Sequence, residues 1–289
     1  MPHPLVWLDG RLLPLAEARI SPLDRGFLFG DSVYEVLPVY AGRAYRLDAH
    51  LERLNRSLAR IRMPPVLDRA GWLAAFGALV HGNGGGNLLL YVQVTRGIEP
   101  ERNHVPRPGT HPTVLAFVSP LAAVPASTIE RGVPATTAED IRWARCDIKA
   151  TSLLANVLLR WQAADAESTE AILLRGGWLT EGSTSSAHVV RSGRLLTPPQ
   201  THAILPGTTR GVLFDLAARD GIACECRPVA EAELRGAEEI IIASAGGGIR
   251  AVTRLDDRPV GGGIPGPLFR RLYAGFLATM SEFSTELPA

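Results

Sequence analysis

Apolar and polar positions first repeat with a short period. Leu5-Val6-Trp7-Leu8, the dipeptide Asp9-Gly10 and Arg11-Leu12-Leu13 predict a β-hairpin closed by a tight turn. Ser32 to Tyr40, Ala41-Gly42 and Arg43 to Arg46 predict a second hairpin. The period then lengthens. Leu51, Leu54, Leu58 and Ile61 stand at spacings of 3, 4 and 3, which marks one face of a helix, and Asp48 is placed to cap it. His50, Arg53 and Ser57 share a second stripe of that helix. Residues 70–81 predict another helix, ended by the glycine run 82–86, and Leu88–Thr95 and Thr113–Val118 predict strands.

Ser119 to Ser127 (SPLAAVPAS) is small, short and carries two prolines, so it reads as a linker. It divides the chain into an N-terminal domain, 1–118, the linker, 119–127, and a C-terminal domain, 128–289. In the second domain a helix is predicted over 151–167, with Leu154, Val157, Leu158 and Trp161 on one face. Strands follow at Glu170–Arg175, Ala187–Arg191 and Arg194–Thr197, separated by Gly176-Gly177 and Ser192-Gly193. A helix starts near Gly207-Thr208-Thr209. Strands at Glu239–Ala243 and Ile249–Leu255 flank Gly246-Gly247-Gly248, and a last helix is predicted over 267–282. No repeat or low-complexity tract interrupts this order.

Composition narrows the class. The 289 residues are 46% hydrophobic and 20% charged, which excludes disorder and collagen-like order. Thirty basic residues against 29 acidic ones give a net charge of +1, so no broad basic field points to nucleic acid. No apolar run is long enough to span a bilayer, and Met1-Pro2-His3-Pro4 opens no secretory signal. Three cysteines (Cys146, Cys224 and Cys226) are too few for a disulfide framework and suit a reducing cytoplasm. The seven histidines show no metal-ligand spacing, so no metal is expected.

Among the 30 basic residues, 29 are arginine and one is lysine, Lys149. Arginine serves as well as lysine on most solvated surfaces, but it does not lose its proton near neutral pH and is a poor nucleophile. A retained lysine therefore points to amine chemistry, such as a Schiff base with an aldehyde cofactor, although chance survival on a surface is the simpler alternative. Glu181 lies in a run of small and hydroxyl residues, Thr180 to Ser186. That run reads either as a polar loop or as a carboxylate with room beside it for a flat ring nitrogen. Leu205-Pro206-Gly207-Thr208-Thr209-Arg210 opens a helix, whose N-terminus caps itself or receives an anion. Ser244-Ala245 leads into glycines without the spacing of a dinucleotide loop. Arg102 and His104 stand in a polar loop and are either solvated or able to grip a carboxylate. No G-x-S-x-G elbow, H-E-x-x-H or Walker loop is present.

The segments Asp24-Arg25-Gly26-Phe27-Leu28-Phe29-Gly30-Asp31 with Val33-Tyr34-Glu35-Val36, Gln93 to Gly97, Glu139 to Lys149 and Thr180-Glu181-Gly182-Ser183 together resemble the fold-type IV pyridoxal-phosphate aminotransferases, most closely the bacterial D-amino acid transaminases. The resemblance runs through nearly the whole chain. It implies an α+β fold of two domains, the second carrying the cofactor lysine, with pyridoxal 5'-phosphate in the cleft between them. It implies that Lys149 forms the Schiff base and moves the Cα proton, and that Glu181 pairs with the pyridine nitrogen. It assigns the phosphate to Arg53, Thr208 and Thr209 with Ser244 and Ala245 near it, and the ring face to Leu205. Tyr34, Arg102 and His104 match the grip on the substrate α-carboxylate. In the family that Arg and His come from the other subunit, so a homodimer is implied. Two departures stand out. Ile98-Glu99-Pro100-Glu101 makes the approach to Arg102 one residue longer, and Ala245 replaces a frequent hydroxyl.

The expected reaction is exchange of the amino group of a D-amino acid with a 2-oxo acid, in the cytoplasm. The alternatives are an (R)-selective amine transaminase, which the 244–248 and 263–267 segments also resemble, a branched-chain L-amino acid transaminase, and a lyase of the aminodeoxychorismate kind. A non-catalytic cofactor-binding protein is disfavoured by the single retained lysine, because binding a phosphate does not require an amine.

Overall fold

The computed structural model describes residues 3–288. Backbone packing divides the chain into two compact units. The first comprises the residues up to Ala122, the segment Ile148–Ser152 and the tail from Met280; the second comprises Ala123–Asp147 and Leu153–Thr279.

In the first unit, β1 (Leu5–Leu8) and β2 (Arg11–Pro14) form the expected hairpin, and the short helix α1 (Arg25–Phe29) follows. The strands β3 (Ser32–Tyr40) and β4 (Arg43–Tyr45) form the second hairpin, the helices α2 (Leu47–Arg60) and α3 (Arg69–Gly82) come next, and β5 (Leu88–Thr95) and β6 (Thr113–Pro120) close the run. Among the described residues seven strands make an antiparallel sheet. Its order is the C-terminal strand Ser284–Glu286, then β4, β3, β5, β6, β1 and β2. Alternate side chains of β3, namely Val33, Leu37 and Val39, are buried in one core with Leu47, Leu54 and Leu58 of α2 and Trp72, Phe76 and Leu79 of α3. Such a sheet stabilises the unit by hiding one apolar face under helices. Asp48 does not cap α2. Helix α2 begins two residues earlier than such a cap would set, at Leu47, after Arg46 in the left-handed region, because Leu47 is drawn into the core. Asp48 instead lies in the first turn and pairs with Arg69.

The segment 148–152 was expected to belong with the second domain, as was the tail. Their backbone partners give the reason for the difference. The strand β4 covers only Val39 and Tyr40 of β3, so the other end of that edge needs partners. The Tyr34 amide donates to the Lys149 carbonyl at 2.9 Å, and the Thr151 amide donates to the Ser32 carbonyl at 3.2 Å. Ile148, Ala150 and Leu287 enter the first core.

The second unit contains α4 (Ala126–Arg131), β7 (Val133–Glu139), α5 (Leu154–Asp165) and the strands β8 (Glu170–Arg175), β9 (Trp178–Gly182), β10 (Ser186–Arg191) and β11 (Arg194–Thr197). It continues with α6 (Thr208–Arg219), β12 (Cys224–Cys226), α7 (Glu231–Arg235), β13 (Glu239–Ser244), β14 (Gly248–Leu255) and α8 (Pro267–Glu282). The sheet order is β12, β11, β10, β13, β14, β7, β8, β9, with Arg258–Pro259 added beside β14. Three of the pairings, β11–β12, β7–β14 and β7–β8, are parallel, so the sheet is mixed. Val189, Leu196, Ile240 and Ile242 are among the buried residues of its core.

Helix α5 corrects the expected pattern. It starts at Leu154, not 151, and Leu159 and Ala163 turn inward. The stripe read as its core face is exposed: Leu154 by 72% and Trp161 by 64%, with Val157 and Leu158 also open. The strands β7 and β9 were not foreseen. Pro134 and the weak strand formers Ala135 and Ala138 hide the first, and β9 is only five residues long.

Candidate active site

In the first unit the polar stripe of α2 is fully buried. It meets a carboxylate that stands in the core-facing row of β3. Glu35 lies between Val33 and Leu37 and is 1% exposed. Arg53 binds it in bidentate fashion, Nε to Oε1 at 2.7 Å and Nη2 to Oε2 at 2.8 Å, and His50 Nδ1 lies 2.7 Å from Oε2. Burial by itself would raise the Glu35 carboxyl, but Arg53 and then His50 hold it far below the usual carboxylate range. Burial likewise holds His50 below its ordinary value, against the pull of Glu35. The guanidinium of Arg53 is thereby fixed against Glu35 inside the unit. Ser57, one turn on, accepts from the Lys149 amide at 3.3 Å.

Lys149 is pinned at its backbone from both sides, by Ser57 and by the Tyr34 amide. Its side chain is half-buried, and Nζ lies 4.2 Å from the centroid of the Tyr34 ring. Tyr34 stacks on Tyr91, with centroids 5.6 Å apart. Lys149, Tyr34 and Arg53 therefore belong to one neighbourhood.

Arg102 and His104 form a second group in this unit. Both are exposed and both lean on Phe29. The Arg102 Cζ is 4.7 Å from the ring centroid, and the His104 ring is 5.2 Å away. Their loop leaves β5 through Gly97, whose φ is +105° and where a Cβ would lie 1.8 Å from the His111 carbonyl oxygen. Only glycine fits there.

In the second unit Glu181 is the penultimate residue of β9 and is 5% exposed. The Leu205 amide donates to both its oxygens at 3.2 Å, and Arg142 Nη1 donates to Oε1. Arg142 is in turn gripped by Asp140, Nε to Oδ1 and Nη2 to Oδ2, both at 2.9 Å. Arg175 Nη2 and the Thr180 hydroxyl meet Asp140 Oδ2 at 3.0 and 2.9 Å. Burial pushes the Glu181 carboxyl up to about 7, the Arg142 cation pulls it back, and the Asp140 charge adds to the rise. Asp140 and Arg142 lie within the segment Glu139 to Lys149, but neither spacing nor residue type announces their grouping around Glu181.

Helix α6 starts after Gly207 with no side-chain cap, and Thr208 and Thr209 are buried in its first turn. A helix start of this kind, with two hydroxyls, suits a phosphate. Ser244 ends β13 and accepts from the Gly247 amide at 3.2 Å, while Ala245 stands in the following turn. The residues fit pyridoxal 5'-phosphate by their chemistry. They supply one amine, a guanidinium fixed by Glu35, an uncapped helix start, and a buried carboxyl that burial raises and the Arg142 cation pulls back toward its ionised form.

Residues 32–255 match the family described as amino-transferase class IV. The D-alanine aminotransferase of Bacillus licheniformis is 38% identical over 92% of this chain and 94% of its own length. That of Staphylococcus aureus (strain MSSA476) is 36% identical over 94% of this chain and 96% of its own. Among solved structures, the branched-chain amino acid aminotransferase of Escherichia coli superposes with a TM-score of 0.93, covering 99% of this chain and 100% of its own at 23% identity. A hypothetical aminotransferase from Mycobacterium tuberculosis in its PLP-bound form gives 0.82 at 26% identity, covering 96% of this chain and 99% of its own.

Proposed function

The chain belongs to the amino-transferase class IV family, whose members use pyridoxal 5'-phosphate, and on that premise we propose that it exchanges the amino group of a D-amino acid such as D-alanine with a 2-oxo acid such as 2-oxoglutarate. The observation that carries the D-specific reading is the identity of more than a third, end to end, with D-alanine aminotransferases. The branched-chain enzymes are similar in fold at lower identity.

When bound, the cofactor supplies an aldehyde carbon and an electron-accepting ring. Lys149 is the amine that would hold that carbon, and it would carry the proton to and from the substrate Cα. An arginine in its place would keep its proton and could do neither. Glu181 holds a proton at the ring nitrogen, and Arg142 keeps its carboxylate ready to do so. Arg53, Thr208 and Thr209 bind the phosphate, with Ser244 and Ala245 beside it, and Leu205 packs on the ring. Tyr34, Arg102 and His104 bind the α-carboxylate and so choose which face of Cα meets Lys149. The assembly is a homodimer; the exposed apolar stripe of α5 supports a subunit contact. Three free cysteines support a reducing cytoplasm.

The test is the visible spectrum of the holoenzyme on separate additions of D-alanine, L-alanine and an (R)-arylalkylamine. Loss of the yellow band with D-alanine, and not with L-alanine, is the expected result. Loss with the amine alone would move the reaction to (R)-amines and leave Arg102 and His104 without a carboxylate.

A further inference from the structure

Arg25 belongs to the segment Asp24–Asp31 and has no part in the roles assigned above. It is charged, yet 3% exposed. Its guanidinium reaches four different groups. Nε binds Asp31 Oδ2 at 2.9 Å, and Nη1 binds Glu99 Oε2 at 3.2 Å. Nη1 also donates to the Asn103 carbonyl at 2.5 Å, and Nη2 donates to the His104 carbonyl at 3.0 Å. Its Cζ lies 4.8 Å from the centroid of Phe29, the ring on which Arg102 and His104 rest.

Glu99 comes from the four residues that lengthen the approach to Arg102. It is 3% exposed, and its Oε1 accepts from the Arg107 amide at 2.7 Å and the Thr110 hydroxyl at 2.9 Å. The loop thus closes on Glu99 from its far side, and Glu99 closes on Arg25. A five-donor planar fork can meet two carbonyls and two carboxylates at once, which a lysine ammonium does not match. Asp31 is braced in turn by Arg96, Nε to Oδ2 at 2.7 Å.

We propose that Arg25 is a positioning residue for the substrate carboxylate: it fixes the backbone from which Arg102 and His104 project, with Glu99 as its counter-charge and Phe29 as the rest for both side chains. This rests on the reading that Arg102 and His104 bind the carboxylate. Arg25 and the loop it holds are on one chain, so the effect follows the loop whichever subunit's substrate the loop serves. An ordered grip binds more tightly because less freedom is lost when the carboxylate arrives.

The test is the half-reaction of holoenzyme with two amino donors, D-alanine and D-alaninamide, which differ in the carboxylate. Arg25→Met should raise the half-saturating concentration of D-alanine about tenfold or more, the scale of a lost charged hydrogen bond. D-alaninamide should change little. Arg25→Lys should fall between, and it gives the same readout if Arg25→Met does not fold. Placed in an Arg102→Ala background, Arg25→Met should add less than its loss in the parent, because only the His104 half of the grip is left to disorder. Equal losses on the two donors, or full additivity, would overturn the proposal by showing a general structural role. Arg102→Ala alone reports on the underlying reading: if it weakens both donors alike, the carboxylate assignment falls and the inference falls with it. If it is selective while Arg25→Met is silent, only the inference fails.

Discussion

Glu181 shows how one side chain ties stability to pH. Burial raises its carboxyl to about 7 from an ordinary value of 4.5, against the pull of Arg142. Below about 4.5 the carboxyl is protonated in the folded and unfolded chains alike, and its contribution to stability is complete. As pH rises through 7 the unfolded chain gains by ionising first, so that contribution is lost. Glu181→Gln does not titrate. The stability of this variant relative to the parent, measured by denaturant unfolding of the apoenzyme, should therefore rise between pH 4.5 and 7 by up to a few kcal/mol. The attraction of the Arg142 cation for the ionised carboxylate is already contained in that raised value, so only the contact made by the protonated side chain is lost as a constant offset. A flat difference would mean that Arg142 keeps the folded carboxyl ionised throughout. The candidate residues themselves were legible in sequence because their chemistry is carried by residue type: a lone lysine, a carboxylate among small residues, threonines at a helix start. Their partners were not. Glu35 sits in an inward register among Val33, Leu37 and Val39, a visible anomaly, but only the fold brings His50 and Arg53 onto it.

Elements were read well where one period dominates. The last helix was expected over 267–282 and is found at Pro267–Glu282, and the strand expected at 88–95 is found at Leu88–Thr95. Helix α3 is stopped where the glycines begin, and it starts with a side-chain cap: Asp68 accepts from the Gly71 amide at 2.7 Å. Asp68→Ala should lower stability by about 1 kcal/mol, measured by thermal or urea unfolding. Asp48→Ala should cost less, because Asp48 makes only an exposed ion pair with Arg69. Failures share a cause. An amphipathic stripe tells that a helix has two faces, not which one meets the core. In α5 small Ala163 and one leucine turn inward, while the larger apolar side chains stay outside. Short strands such as β9 carry too few residues for a period to register.

The two units of the molecule are not continuous in sequence, and this was invisible from a linker alone. The composition change at 119–127 was read as a boundary, and the first unit does leave the chain at Ala122, but it returns at Ile148–Ser152 and from Met280 on. The tail is held by structure. Ser284–Glu286 pairs with β4, Leu287 enters the core, and His81 Nε2 lies 3.1 Å from the Leu287 carbonyl. At Gly77 a Cβ would lie 2.1 Å from the Pro288 carbonyl oxygen. Deleting residues 280–289 should therefore destabilise the first unit selectively. Hydrogen exchange should quicken at the amides of β3, β4 and α3 and change little in β10 and β13. Equal quickening everywhere would show that the two units unfold as one.

A ribosome making this chain releases the first 122 residues long before the last ten. At about 5–20 residues per second, on the order of ten seconds passes between them. During that interval β4 has no outer neighbour and the Ser32–Tyr34 edge waits for residues 149–151. The strand carrying Glu35 is thus left open on its edge while the chain is still being translated. The arrival of the lysine segment closes that edge, and the final strand then covers β4.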